Sequence, residues 1–119
     1  MEIKERINQD VAILRLEGRL DLNTAKELKK HVKGLLGRNA KNIALSFAGI
    51  TFINSSGLAS LISIHKDLRL AKGKLAISDV NVYVKEIFEI TQLDSIFDIY
   101  TTESEAVASF SLAPGKFVP

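Results

Sequence analysis

The chain has 119 residues, of which 46% are hydrophobic and 25% are charged. This length fits one domain with a single core, and the composition excludes a disordered or collagen-like chain. Cysteine is absent, which excludes disulfides, thiolate zinc sites and a cysteine nucleophile. No apolar run approaches the roughly 18–20 residues that span a bilayer, and no signal peptide is recognisable after Met1. We therefore expect a cytoplasmic protein without membrane insertion.

The formal net charge is +2, and the basic residues are scattered along the sequence. The densest basic stretch, residues 66–74, also contains Asp67 and is predicted to decorate a solvated helix face. Nucleic-acid binding normally requires a concentrated stripe of Lys and Arg, often with aromatic side chains for stacking. We therefore expect no nucleic-acid partner.

The first two predicted elements are strands that form a hairpin. Residues 2–8 and 11–17 flank a short polar turn. Residues 11–16 are apolar on both faces except for Arg15, a pattern typical of a strand that other elements cover on both sides. Gly18 is predicted to end this strand.

The first predicted helix spans residues 23–36 and is followed by Gly37, a typical residue after a helix end. Thr24 and Glu27 fit a capping box at its start, and Asn23 is an equally suitable N-cap. Its apolar residues recur at helical spacing. They are Leu28, Val32, Leu35 and Leu36.

A second buried strand is predicted over residues 42–47, and a short apolar segment, 50–53, precedes the second helix. That helix spans about 56–71, and Gly73 stops it. Its predicted buried stripe has the spacing of one helical face. The stripe consists of Leu58, Leu61, Ile62, His65 and Leu68.

The remaining predicted elements are a strand over 74–78, a helix over 81–91 and a strand over 97–100. A fourth helix begins after Thr102, where Thr102 and Glu105 fit a capping box. After the opening hairpin, strands and helices alternate, which implies crossover connections. The sequence therefore predicts an α/β fold: a mixed, mostly parallel sheet of four to five strands with about four helices.

The domain is predicted to occupy residues 1–110. Residues 111–119 contain two prolines and a glycine without periodicity, and we expect a flexible tail there. In sheets of this kind, ligands and partners bind where strand ends meet helix starts. The junction after Ile53 is such a place.

Residues suited to catalysis are few. There is no Gly-rich phosphate-binding pattern, and His31 and His65 both fall inside predicted helices, without metal-ligand spacing. We expect His65 at the edge of the core and His31 in solvent. Residue order alone is compatible with a Ser-His-Asp triad, but Ser55 lies in no Gly-x-Ser-x-Gly elbow. We therefore expect a protein that is not an enzyme and that holds no cofactor or metal.

The most informative local pattern is Asn54-Ser55-Ser56-Gly57, at a predicted strand-to-helix junction. One interpretation is helix capping, with Ser55 accepting a hydrogen bond from the N–H of residue 57 or 58. Gly57 disfavours a helical first turn, so close approach by a partner or a phosphate is a second interpretation. The pattern alone leaves both open.

The same stretch resembles the signature of STAS domains, the family of anti-sigma-factor antagonists. There, Asp-Ser-Ser/Thr-Gly-Leu opens the second helix. Residues 18–21, Gly-Arg-Leu-Asp, resemble the Gly-x-Leu/Ile-Asp motif of the family, and residues 84–94 resemble its third helix and following turn. The resemblance covers about residues 2–110. Asn54 is a departure, because many members carry aspartate at that position.

The resemblance implies that Ser55 is phosphorylated and that Asp21, Asn54, Ser55, Ser56 and Gly57 contact the partner. The implied partner is an anti-sigma factor that acts as a serine kinase, with a phosphatase for the reverse step, and the chain itself would be a monomer. The alternative is a constitutive STAS subunit of a lipid-transport or stress-signalling assembly, in which the serine is structural. A small hydrolase that uses Ser55 is the third hypothesis.

Overall fold

A five-stranded sheet forms the centre of the structure. The computed structural model describes residues 1–111. The strands are β1 (Glu2–Asn8), β2 (Val11–Leu20), β3 (Asn42–Ile53), β4 (Lys74–Ser78) and β5 (Asp98–Tyr100). Their order in the sheet is β1-β2-β3-β4-β5. β1 pairs with β2 in antiparallel fashion and the other neighbours are parallel, which confirms the predicted α/β class and mixed sheet.

Helices cover both faces of the sheet. They are α1 (Leu22–Gly37), α2 (Ser55–Leu70), α3 (Val82–Ile90) and α4 (Glu103–Ala108). The buried residues of α1, α2 and α3 join one large core cluster on one face, and Ala106 of α4 packs on a smaller cluster on the other face. Of the predicted tail, only Ser111 is described, at the end of a 3-10 turn; residues 112–119 lie outside the described residues.

Strands β2 and β3 are both longer than the sequence predicted. Gly18 does not end β2; it lies inside the strand at φ +113°, next to an irregularity in the pairing with β3. The segments predicted at 42–47 and 50–53 are one continuous strand, β3. Parallel pairing continues through these irregularities until Leu20 lies opposite Ile53. As a result, α1 and α2 start next to each other.

The buried stripe of α2 differs from the prediction at one position. Leu61 and Leu68 are fully buried, whereas Ile62 is 43% exposed and Ile64 is buried in its place. Each residue advances about 100° around a helix, so Ile62 points well away from the face that Leu61 and Ile64 share. His65 is half-buried at the edge of the core, as predicted, with its ring edge-on to Phe97 at 5.8 Å between centroids.

An ion-pair cluster fixes α4 to the sheet. Both oxygens of Glu103, in the first turn of α4, accept hydrogen bonds from Arg15 on β2, and one also accepts from Arg6 on β1. The hydrogen bond from Arg15 is the main cause that lowers the pKa of the Glu103 carboxyl, and partial burial opposes it. The predicted capping box of Thr102 and Glu105 is present at the start of this helix.

Substitution of Leu61 and Ile62 by alanine tests the orientation of α2. Leu61→Ala removes a fully buried side chain and should lower the free energy of unfolding by about 2–5 kcal/mol. Ile62→Ala, the adjacent control, removes an exposed side chain and should cost less than about 1 kcal/mol. Urea unfolding measures both. Equal losses would contradict the orientation described here.

Candidate functional site

The strand-to-helix junctions after β2 and β3 form one site at the carboxyl edge of the sheet. Because these parallel strands end in register, the N–H of Asn54 donates to the carbonyl of Leu20 at 3.3 Å. Asp21 and Asn54 are therefore corresponding residues of neighbouring junctions. The structure thus brings Asp21 to the same edge of the sheet as residues 54–57.

Asp21 is the N-cap of α1. Its Oδ1 accepts from the N–H groups of Asn23 at 3.1 Å and Thr24 at 3.2 Å, and its own N–H donates to Thr24 Oγ1. The N–H of Thr24 is the main cause that lowers the pKa of the Asp21 carboxyl; desolvation opposes it, and Arg19 lowers it further. The expected caps, Thr24 with Glu27 or Asn23, were wrong because α1 begins at Leu22.

Asn54, and not Ser55, is the N-cap of α2. The Asn54 backbone is extended, and its Oδ1 accepts from the N–H of Gly57 at 3.1 Å. Asn54 and Ser55 are both good capping residues, so the sequence did not discriminate between them. Which of the two residues is the cap depends on where β3 ends. Because β3 ends at Ile53 and α2 begins at Ser55, Asn54 is the last residue with non-helical backbone angles. The expected cap at Ser55 was wrong.

Ser55 is consequently an exposed residue at the first position of α2. Within residues 1–111, its hydroxyl makes no hydrogen bond with another protein group. The first N–H groups of a helix have no partner within the helix, and here Asn54 satisfies only that of Gly57. The hydroxyl of Ser55 thus lies beside free backbone donors at the positive end of the α2 dipole.

Gly57 is buried, and its small size is required by the chain itself. A Cβ at this position would lie 2.4 Å from the carbonyl oxygen of Leu20 and 2.9 Å from Ile53 Cγ1. The close approach of the Leu20 backbone is therefore sufficient to explain why this position holds glycine. Ser56 is half-buried, so Ser55 is the most accessible residue of the motif.

Sequence reasoning missed one feature of this edge. Arg19 on β2 stacks over the ring of Phe52 on β3, with 3.9 Å from Cζ to the ring centroid. The two residues are register partners on parallel strands, and only the pairing of the strands reveals them as neighbours. This cation–π pair places a guanidinium close to the Asp21 end of the site.

Neither histidine is placed to act as a base for Ser55. His65 lies ten positions further along α2, about 15 Å along the helix axis. His31, expected in solvent, is half-buried, and its Nε2 lies 2.7 Å from Glu5 Oε1 on β1.

No group of three potential metal ligands occurs within residues 1–111. The described helices also include none that is long and apolar enough to span a membrane.

Comparison with known proteins identifies the family. The protein-family model of the STAS domain matches residues 2–106, so the chain belongs to the STAS domain family. An anti-sigma F factor antagonist from Paenibacillus polymyxa is 27% identical over 113 residues, which cover 94% of this chain and 97% of that protein.

Solved structures share the fold. The crystal structure of a candidate anti-sigma factor antagonist from Thermotoga maritima is 30% identical, aligns over 90% of this chain and 92% of that chain, and has a TM-score of 0.85. The Bacillus cell fate determinant SpoIIAA in its phosphorylated form is 18% identical, with coverage of 92% and 99% and a TM-score of 0.72. At that identity, the second comparison concerns the fold alone.

Substitution of Asn54 and Ser55 by alanine tests which residue caps α2. Asn54→Ala should lower the free energy of unfolding by about 0.5–2 kcal/mol, because the N–H of Gly57 loses its acceptor. Ser55→Ala, its neighbour and control, should change it by less than about 0.5 kcal/mol. Denaturant titration of both variants gives the comparison. A larger loss for Ser55→Ala would mean that the serine hydroxyl supports the helix.

Two glycine substitutions test the contact between α2 and β2. Gly57→Ala should destabilise the protein by about 1–3 kcal/mol, because the new methyl group overlaps the Leu20 carbonyl. Gly34→Ala in α1, where a Cβ would meet nothing within 4 Å, should instead stabilise it by about 0.5–1 kcal/mol through helix propensity. Thermal unfolding distinguishes them, and stabilisation by both substitutions would refute the close approach.

Proposed function

We propose that this protein is an anti-sigma factor antagonist whose binding is switched by phosphorylation of Ser55. In the unphosphorylated state, the edge formed by Asp21 and residues 54–57 binds an anti-sigma factor that is also a serine kinase. Phosphorylation of Ser55 by that kinase releases the complex, and a phosphatase restores binding. Membership of the STAS family and the names of its relatives support the class of partner.

The observation that carries the proposal is the unused hydroxyl of Ser55. Because Asn54 caps α2, the Ser55 hydroxyl makes no hydrogen bond to another group of residues 1–111, and Ser55 is exposed at the helix start. A kinase can therefore reach the hydroxyl without unfolding the helix. The same observation weighs against the alternative of a constitutive subunit, in which the serine would be structural.

The electrostatics of the site support accommodation of a phosphate. A phosphoserine adds about −1.5 to −2 charges and three acceptor oxygens. At the first position of α2, these oxygens meet free N–H groups and the positive end of the helix dipole. The first turn of α2 contains no acidic residue, and its N-cap, Asn54, is neutral. Many family members carry aspartate at the position of Asn54, so this site has one negative charge less to repel a phosphate. The modified domain should therefore remain folded.

The effect of the phosphate then falls on the docking surface. A partner surface shaped for a neutral hydroxyl would face a bulky dianion. A loss of about 3–4 kcal/mol at such an interface weakens binding by several hundred-fold. Asp21 is held as a carboxylate by the N–H groups of α1, so a phosphorylated site would present two negative groups to the partner in place of one.

The switch is tested with a phosphomimetic variant and a matched control. Ser55→Asp should weaken binding to the anti-sigma factor by at least about ten-fold, or about 1.4 kcal/mol, with little change in thermal stability. Ser104→Asp adds the same charge at an exposed serine in the first turn of α4 and should leave affinity unchanged. The partner is first captured from the source cell on Ser55→Ala bait and then titrated by calorimetry.

Modification is followed by mass spectrometry after incubation with the captured partner and ATP. Phosphate should be found on Ser55 of the wild type and should be absent from Ser55→Ala. Equal affinity of Ser55→Asp and wild type, together with no phosphate on Ser55, would refute the switch and would favour the constitutive subunit.

A further inference from the structure

The net charge is only +2, but the positive charges are concentrated on one side of the domain. Residues 26–72 contain nine of the 16 Lys and Arg residues but only two of the 14 Asp and Glu residues. The basic residues of this region fall into two stretches that are far apart in sequence, in and after α1 and late in and after α2. Helices α1 and α2 pack side by side on the same face of the sheet, so the fold brings the two stretches together.

The outer side of α1 carries a row of lysines. Lys26, Lys30 and Lys33 are all exposed, and spacings of four and three residues place them on one line along the helix. No carboxylate within residues 1–111 forms an ion pair with their amino groups. Their positive charges are therefore available to an external partner.

The outer side of α2 alternates apolar and basic side chains. Ile62, Lys66 and Leu70 are spaced by four residues, so they also form one line. Ile62 is 43% exposed and Leu70 is 74% exposed. Such exposure of two large aliphatic side chains on either side of a lysine has no role in the core. Together with the lysine row of α1, these residues form a surface that we call the basic face.

We propose that the basic face docks the domain on the surface of an anionic lipid bilayer. Lysines near such a surface are attracted by the negative lipid headgroups, and the attraction decays within a Debye length. Once the domain is in contact, Ile62 and Leu70 can enter the boundary between headgroups and acyl chains, as aliphatic side chains of surface-bound helices do. The lysine stems follow the apolar boundary while their amino groups remain among the headgroups.

The composition of the basic face favours a bilayer over other anionic partners. Protein interfaces are enriched in aromatic residues and arginine and depleted in lysine. Here the two rows contain four lysines, and one arginine lies beside them, the exposed Arg69, three residues after Lys66. Single-stranded nucleic acids stack on aromatic side chains, and neither α1 nor α2 contains Phe, Tyr or Trp. A fluid anionic surface requires no such directional contacts, and flexible point charges suit it.

The test is co-sedimentation with vesicles of phosphatidylcholine containing about 30% phosphatidylglycerol, beside vesicles of phosphatidylcholine alone. The wild type should bind the anionic vesicles at least about ten-fold more tightly, and about 0.5 M salt should abolish the difference. The double variant Lys26→Gln/Lys30→Gln should lose at least about ten-fold in affinity. Leu70→Ser should lose a few-fold even at unchanged charge.

The control variant is Lys4→Gln/Lys85→Gln. It removes two positive charges from exposed positions of β1 and α3, outside the two rows of the basic face, and should lose less than about two-fold if position rather than net charge matters. Circular dichroism confirms that each variant is folded. Equal binding to both kinds of vesicle, or equal losses in the two double variants, would overturn the proposal. Binding of polyglutamate or polyuridine without binding of anionic vesicles would also overturn it.

Discussion

The arrangement of the site depends on the parallel pairing of β2 and β3 up to their last residues. This pairing sets Leu20 opposite Ile53 and directs the N–H of Asn54 to the Leu20 carbonyl. The same carbonyl lies so close to the first turn of α2 that only glycine fits at position 57. One backbone group of β2 thus fixes where α2 begins. The fixed start makes Asn54 the cap and leaves the hydroxyl of Ser55 without a hydrogen-bond partner among the described residues 1–111.

The two neighbouring caps differ in charge, which bears on the proposed switch. Asp21 is an anion that the N–H groups of α1 stabilise, whereas Asn54 caps α2 without charge. A phosphate on Ser55 would therefore meet the undiminished positive end of the α2 dipole. The proposed phosphorylation would therefore change the surface that a partner meets and would leave the fold intact.

Sequence periodicity was sufficient to predict the succession of strands and helices along the chain and core residues such as Leu61. The reason is that burial on one face imposes a regular spacing. Periodicity failed where tertiary pairing decides between equivalent residues. Asn54 and Ser55 are both competent caps, and only the end of β3 discriminates between them. Ile62 was assigned to the core because it lies four residues after Leu58 and three before His65, spacings that are typical of one helical face. The basic face was not predictable, since its two rows become neighbours only when α1 and α2 pack together.

Within the described residues 1–111, the fold makes no use of the Ser55 hydroxyl. Protein with phosphoserine incorporated at position 55 tests this, by comparison of its urea unfolding at neutral pH with that of the unmodified protein. We expect an unfolding free energy that is unchanged or raised by up to about 1 kcal/mol, because the phosphate meets free N–H groups. A loss of more than about 2 kcal/mol, comparable to breaking a buried hydrogen bond, would contradict it.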